Sequence, residues 1–374
     1  MEIAAAPRGR RAALRGLLAS CLALLAACAT PAPPAVVAEN GDSLWLRVES
    51  EHFTVESNLG NERRVRDIAA EFETLWAAFA AVPVLGLEPP AEKPLVVVLQ
   101  AKSEYRYLAG EQSAGLFMQG TFLGPLILLP PSGGAFRETV IKHELAHYMA
   151  SDFLPHDAPL WLAEGLAQLM ETATYDEREG EVLFGDFSWG RVHGAGLDMP
   201  ASKVMRPWPR RRSARENHEY YGRSWLIVHY LVDYHLQEFL DFLVRVSHGE
   251  DWQQAWDQEL SVSRKFLDKE LDDYHARAKY GLWKSRVRRP DSDTYAVSTV
   301  SPSDAYALRS FLHAYAVNPA LTQDKKTADA DADLGTAWEL DKAGERMKAL
   351  SAALEAERAR RGLDDEEPED AGAH

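Results

Sequence analysis

Gly133-Gly134-Ala135-Phe136-Arg137-Glu138-Thr139-Val140-Ile141-Lys142-His143-Glu144-Leu145-Ala146-His147-Tyr148-Met149-Ala150-Ser151 is the stretch at which the chain changes character. Before it, apolar residues alternate or run continuously, as strands do; after the paired glycines they recur with the 3.6-residue period of a helix. At 100° per residue, His143 and His147 stand one above the other on the helix Phe136–Ser151, close enough for two imidazoles to bind one metal ion. Glu144 lies beside them and can take a proton from a water that the metal activates. Ile141, Leu145 and Met149 fall on the face roughly opposite, so the helix can bury that face and present the histidines to a cleft.

A catalytic zinc site needs a third protein ligand and an open fourth position. Pro159-Leu160-Trp161-Leu162-Ala163-Glu164-Gly165-Leu166-Ala167 offers one in Glu164, 17 residues beyond His147. That distance lets the first helix end, the chain turn at Pro155 and Pro159, and a second helix return. His156 and Asp157 lie in the turn and read as loop residues, because a catalytic metal rarely takes a fourth protein ligand.

The paired segments resemble the gluzincins, zinc peptidases with H-E-x-x-H on one helix and a glutamate ligand on the next. Trp-Leu-x-Glu-Gly-x-Ala is similar to the second helix of their peptidase MA-like branch. The resemblance implies a zincin-like fold, one Zn²⁺ held by His143, His147 and Glu164, Glu144 as general base, and a peptide or protein substrate held extended along an edge strand. It extends through Tyr220-Tyr221-Gly222-Arg223-Ser224-Trp225-Leu226 and covers roughly residues 44–278. Such enzymes often direct a Tyr or His from a later helix at the oxyanion. Tyr221 is favoured for that role over Tyr220, at the opening of a helix Tyr220–Tyr234. The metzincin pattern, by contrast, wants Gly at 150 and His at 153, where this chain has Ala150 and Phe153.

Working outward, Leu44, Leu46 and Val48, then Phe53 and Val55, alternate as two short strands. Asn61 to Ala81 is an amphipathic helix, and Leu95-Val96-Val97-Val98-Leu99 reads as a strand buried on both faces. Gly115–Phe122 and Pro125–Leu129 form two more strands joined at Gly124-Pro125. The first, with polar Gln119 and Thr121, suits a substrate-binding edge better than the second. Helices are expected to dominate from Gly134 to about residue 280. Ser285 to Val300 is irregular, and residues 303–363 are Ala-rich and helical in pattern. Strands and a helix followed by helices is an α+β order. The expected organisation is a metallopeptidase domain over 43–280, a linker and helical extension over 281–363, and a disordered acidic tail over 364–374.

At the other end, Arg8, Arg10, Arg11 and Arg15 precede an apolar run from Gly16 to Ala27, too short to span a bilayer but suited to a signal peptide over 1–27. Its end, Leu25-Ala26-Ala27-Cys28, resembles the lipobox of bacterial lipoproteins, which implies lipidation of Cys28. Leu18-Ala19-Ser20-Cys21 fits the same pattern but leaves only five residues after Arg15. Ala29 and Thr30 carry no Asp to signal inner-membrane retention, so the resemblance implies the outer membrane, facing the periplasm. Residues 28–42, with Pro31, Pro33 and Pro34, read as a flexible tether.

The full chain has 374 residues, 46% hydrophobic, enough for a sizeable core. With 41 basic and 57 acidic residues its net charge is −16, which argues against nucleic acid as a partner. Both cysteines, Cys21 and Cys28, lie in the first 28 residues, so the folded body has no disulfide framework, no Cys-based zinc site and no cysteine nucleophile. Gly-rich phosphate loops and a nucleophile elbow are absent. Arg206, Arg210, Arg211, Arg212 and Arg215 form one basic cluster, read as an exposed loop. The expectation is a zinc metallopeptidase of the bacterial cell envelope. The alternative is a non-cleaving lipoprotein with the same fold that binds or scaffolds envelope partners; the intact Glu144 argues against it, since a binding module needs no base there.

Overall fold

Leu95-Val96-Val97-Val98 is apolar at every position, and successive side chains of a strand point to opposite faces, so such a strand must be covered twice. The computed structural model describes Val36 and residues 43–361 except 83–91, 112, 122, 132–134, 152, 156, 187–198, 208–212, 278 and 343. Cys28, the leader, all of the tether but Val36, the acidic tail, His156, His193 and Arg210 to Arg212 lie outside the described residues.

Leu95–Val98 (β3) lies inside a six-stranded mixed sheet of order β4-β5-β3-β2-β1-β9. Its parallel neighbours are Thr54–Ser57 (β2) and Gly124–Leu129 (β5). Antiparallel strands flank these: Leu46–Glu49 (β1) beside β2, Val297–Thr299 (β9) beside β1, and Leu116–Thr121 (β4) beside β5. β4 is thus an edge, and Gly124, at φ +81°, makes the turn that joins it to β5. The strands expected at Gly115–Phe122 and Pro125–Leu129 are this pair.

Val55, Val96, Val98, Ile127 and Leu129 point to one face and join the larger core. There Glu62–Ala80 (α1), capped by Asn61, lies against β1, β2 and Ala135–Ala150 (α3). Leu160–Glu171 (α4) packs on α3, and Ala214–Tyr234 (α6) packs on α4. Leu95, Val97, Leu126 and Leu128 point the other way, to a second core shared with Lys102–Ala109 (α2), Pro302–Ala314 (α10), Gln323–Leu340 (α11) and Glu345–Arg361 (α12). The architecture is therefore mixed α and β, with helices on both faces of a mixed sheet. Among the described residues no helix is long and apolar enough to cross a membrane.

Three expectations change. Residues 281–300, read as an irregular linker, contribute β9 to the main sheet and Trp283–Arg286 (β8) to a small sheet with Thr174–Asp176 (β6) and Glu181–Phe184 (β7). That same hairpin interrupts the expected run of helices. Finally, α6 does not open at Tyr220. It begins at Ala214, where Ser213 accepts from the Glu216 N–H and Glu216 reaches back to Ser213, a capping box that sets the start. Tyr221 therefore stands two turns inside the helix.

The C-terminal helices are tied in by buried charge. Glu56 on β2 receives Arg47 and Arg346, and Arg309 pairs with Asp333. Glu104 on α2 is buried beside them without a matching cation of its own. Burial pushes its carboxyl up to about 7, against the opposing pull of Arg309, Asn58 and His313. Folding then favours the protonated acid: no penalty exists below pH about 4.5, where both states are neutral, and it grows as pH rises to about 7 and stays constant above. The full cost is roughly 3 kcal/mol. Glu104→Gln should raise the melting temperature at pH 8 and leave it unchanged at pH 4.5; a gain that is equal at both pH values would refute the buried-acid account.

Candidate metal centre

Ile141, Leu145 and Met149 are fully buried, which pins one side of α3 and turns His143, Glu144 and His147 the other way. Facing them, α4 starts after Pro159 and buries Trp161, Leu162, Leu166 and Leu169. Its Glu164, Gln168 and Glu171 recur at i, i+4 and i+7 and so form one stripe toward α3. On another side of α4, Gly165 lets α6 approach: a Cβ there would lie 2.6 Å from the Ser224 carbonyl oxygen.

His143, His147 and Glu164 come together as the sequence spacing implied, and could hold a metal ion. The two Nε2 atoms are 3.1 Å apart, and Glu164 Oε2 lies 3.4 Å from His143 Nε2 and 3.7 Å from His147 Nε2. Ligands at 2.0–2.1 Å from a tetrahedral ion stand about 3.3 Å from one another, so this triangle matches one face of such a tetrahedron. Glu164 Oε2 is buried and has no well-formed hydrogen bond, an acceptor that an ion between the three would satisfy. Burial disfavours the Glu164 charge, yet His143 and His147 outweigh it and hold this carboxyl well below the usual range. For His143 burial favours the neutral ring, but Glu164 and Glu171 prevail and raise its pKa. An entering cation therefore displaces a proton from the site. The Glu144 carboxyl is raised, chiefly by burial, with both imidazoles opposing.

No protein-family model matches the chain, and no curated protein matches it. Its own geometry carries the functional reading.

A cleft of about 470 Å³ opens over His143, His147 and Glu164. Gly115, Phe117 and Gln119, from β4 and the residue before it, form one wall; His143, Glu144 and His147 of α3 form another, with Glu164 and Tyr221 beyond. Tyr221 thus reaches the cleft, while Tyr220 is fully buried. Asp157 is exposed, and His229 lies buried between the Tyr274 hydroxyl and the Gly185 carbonyl, each 2.7 Å away.

Sequence reading passed over Glu171. It is 3% exposed, and its Oε2 lies 3.3 Å from His143 Nδ1, with Gln168 Nε2 at 3.3 Å from the same nitrogen. A ring that binds metal through Nε2 carries its proton on Nδ1, and Glu171 is placed to accept it, fixing tautomer and ring orientation. The clue was the seven-residue step from Glu164 to Glu171, two turns along one face. Glu171→Gln keeps shape but loses the charged acceptor. It should weaken Zn²⁺ or Co²⁺ binding roughly 10- to 100-fold, read by chelator competition, with the melting temperature of the metal-free protein retained. Unchanged metal affinity would show that Glu171 does not orient His143.

Proposed function

We propose that this protein is a zinc-dependent peptide hydrolase with a zincin-like fold, anchored to the bacterial cell envelope through a lipid on Cys28. The observation that carries the reading is the convergence of His143 Nε2, His147 Nε2 and Glu164 Oε2 on one point in the wall of a cleft, with the Glu144 carboxylate beside them. Zn²⁺, when bound there, supplies a Lewis acid that polarises the scissile carbonyl and lowers the pKa of an attacking water.

The chain's own residues do the rest. Glu144 accepts the proton of the water and delivers it to the leaving amine; burial, which raises its carboxyl, suits it to both halves of that transfer. The outer side of β4 has no strand beside it among the described residues, so its main-chain groups can hold an extended peptide across the cleft. Tyr221 donates its hydroxyl proton to the oxyanion, a contact typically worth about 3–4 kcal/mol. The lipobox resemblance at Leu25-Ala26-Ala27-Cys28 supports the anchor, with a Pro-containing tether holding the enzyme off the outer membrane toward periplasmic peptide or protein substrates.

Cleavage of a peptide library by the mature chain should be abolished by a chelator and restored by Zn²⁺. Glu144→Gln should retain zinc and lose activity, and Tyr221→Phe should lower kcat about a hundredfold at unchanged zinc content and melting temperature. A Glu144→Gln variant as active as wild type would sink the hydrolase. A wild-type chain that binds zinc and partner proteins but cleaves nothing would make it a scaffold. Mass spectrometry of membrane-extracted protein should show an acylated N-terminal Cys28; an unmodified N-terminus beyond residue 28 would overturn the anchor.

A further inference from the structure

Gly115 is unlike the glycines that make this protein's turns. Its φ is not in the left-handed region, so an alanine could adopt its backbone, and space alone demands glycine there. A Cβ at 115 would lie 2.5 Å from Val140 Cγ1, 2.7 Å from Glu144 Cγ and 2.8 Å from Glu144 Oε1. The backbone at 115 thus lies directly against the carboxylate. Two residues on, the Phe117 N–H donates to the same carboxylate. The Gly115 carbonyl is braced in turn: it accepts from Ser113 Oγ at 2.7 Å, and Ser113 Oγ shares a 2.7 Å hydrogen bond with the hydroxyl of Tyr105, buried in the second core.

We infer that Ser113–Phe117 is a seat for the Glu144 side chain and that Gly115 is its positioning residue, keeping the carboxylate at the one place from which it reaches the attacking water. This rests on the reading of Glu144 as the base. A glutamate has several rotatable bonds, and in an open cleft only contact on its sides holds it still. A base must stand within hydrogen-bond reach of the proton it takes, and a displacement of about 1 Å can cost about a hundredfold in rate. Glu144 meets backbone on one side and the metal ligands on the other, so a methyl group at 115 pushes it toward the ligands.

The test is Gly115→Ala in the full mature chain. Its kcat should fall roughly a hundredfold, with KM and zinc affinity within about threefold of wild type. Activity equal to wild type would overturn the seat. The contact has a readout independent of catalysis: with Val140→Ala as the background, which clears the 2.5 Å clash with Val140 Cγ1, Gly115→Ala should still lower the melting temperature, and much of that loss should vanish when Glu144→Ala is added and the carboxylate no longer blocks the new methyl group. No relief would overturn the contact. If wild type cleaves no peptide but this thermal coupling is present, the hydrolase reading fails and the seat stands. Should Gly115→Ala not fold, Ser113→Ala removes only the brace on the Gly115 carbonyl. It should lower kcat about fivefold, the equivalent of one lost hydrogen bond; unchanged kcat would count against the seat.

Discussion

Three carboxylates, Glu144, Glu164 and Glu171, are withdrawn from water between α3 and α4, and the structure around them follows from that constraint. A buried charge is costly unless it is paired and hydrogen-bonded. Glu171 has His143 Nδ1, Glu164 has both Nε2 atoms, and Glu144 has the Phe117 N–H. Two imidazoles can offset at most two negative charges, and no lysine or arginine is among the described residues that line the cleft. A divalent cation at the centre of the ligand triangle would take the place of two ring protons and leave the group's charge unchanged, so the same residues could hold either.

Holding those groups in register takes rigid backing. Apolar residues pin the far sides of both helices, and Gly165 brings α6 close enough to lock α4 from behind. Below, β5 and β3 support β4, so the edge strand that walls the cleft is itself anchored in the core. The C-terminal helices take part indirectly. They cover the second face of the sheet and pack around Tyr105, whose hydroxyl braces the entry to β4 through Ser113. Glu56 with Arg47 and Arg346, and Arg309 with Asp333, fasten this layer. Buried ion pairs of this kind add little net stability, but they penalise any other docking of the layer.

Residues close in sequence were legible because helical and strand periods act over a few positions. His143 and His147 one turn apart, the buried triplet Ile141, Leu145 and Met149, and the choice of Gly115–Phe122 as the edge all follow from local pattern. The start of α6 was equally local, a Ser213–Glu216 capping box, and reading the helix from Tyr220 missed it. The hairpin β6–β7 was passed over because three- and four-residue strands carry too few positions for alternation to stand out.

By itself the sequence determined the group His143, His147 and Glu164 that could hold a metal ion, the doubly covered strand and the helical character of the C-terminal quarter. Apart from the 17-residue step from His147 to Glu164, these are written in spacings of one to seven residues. Tertiary structure alone decided which helices cover that strand, that Tyr221 and not Tyr220 reaches the cleft, that Glu171 meets His143, and that Gly115 lies against Glu144. Both tyrosines fit a helical stripe, and only the packing of α6 on α4 says which stripe is buried. Those outcomes are contacts between elements tens to hundreds of residues apart, where complementarity of shape and charge decides, and no local period records it.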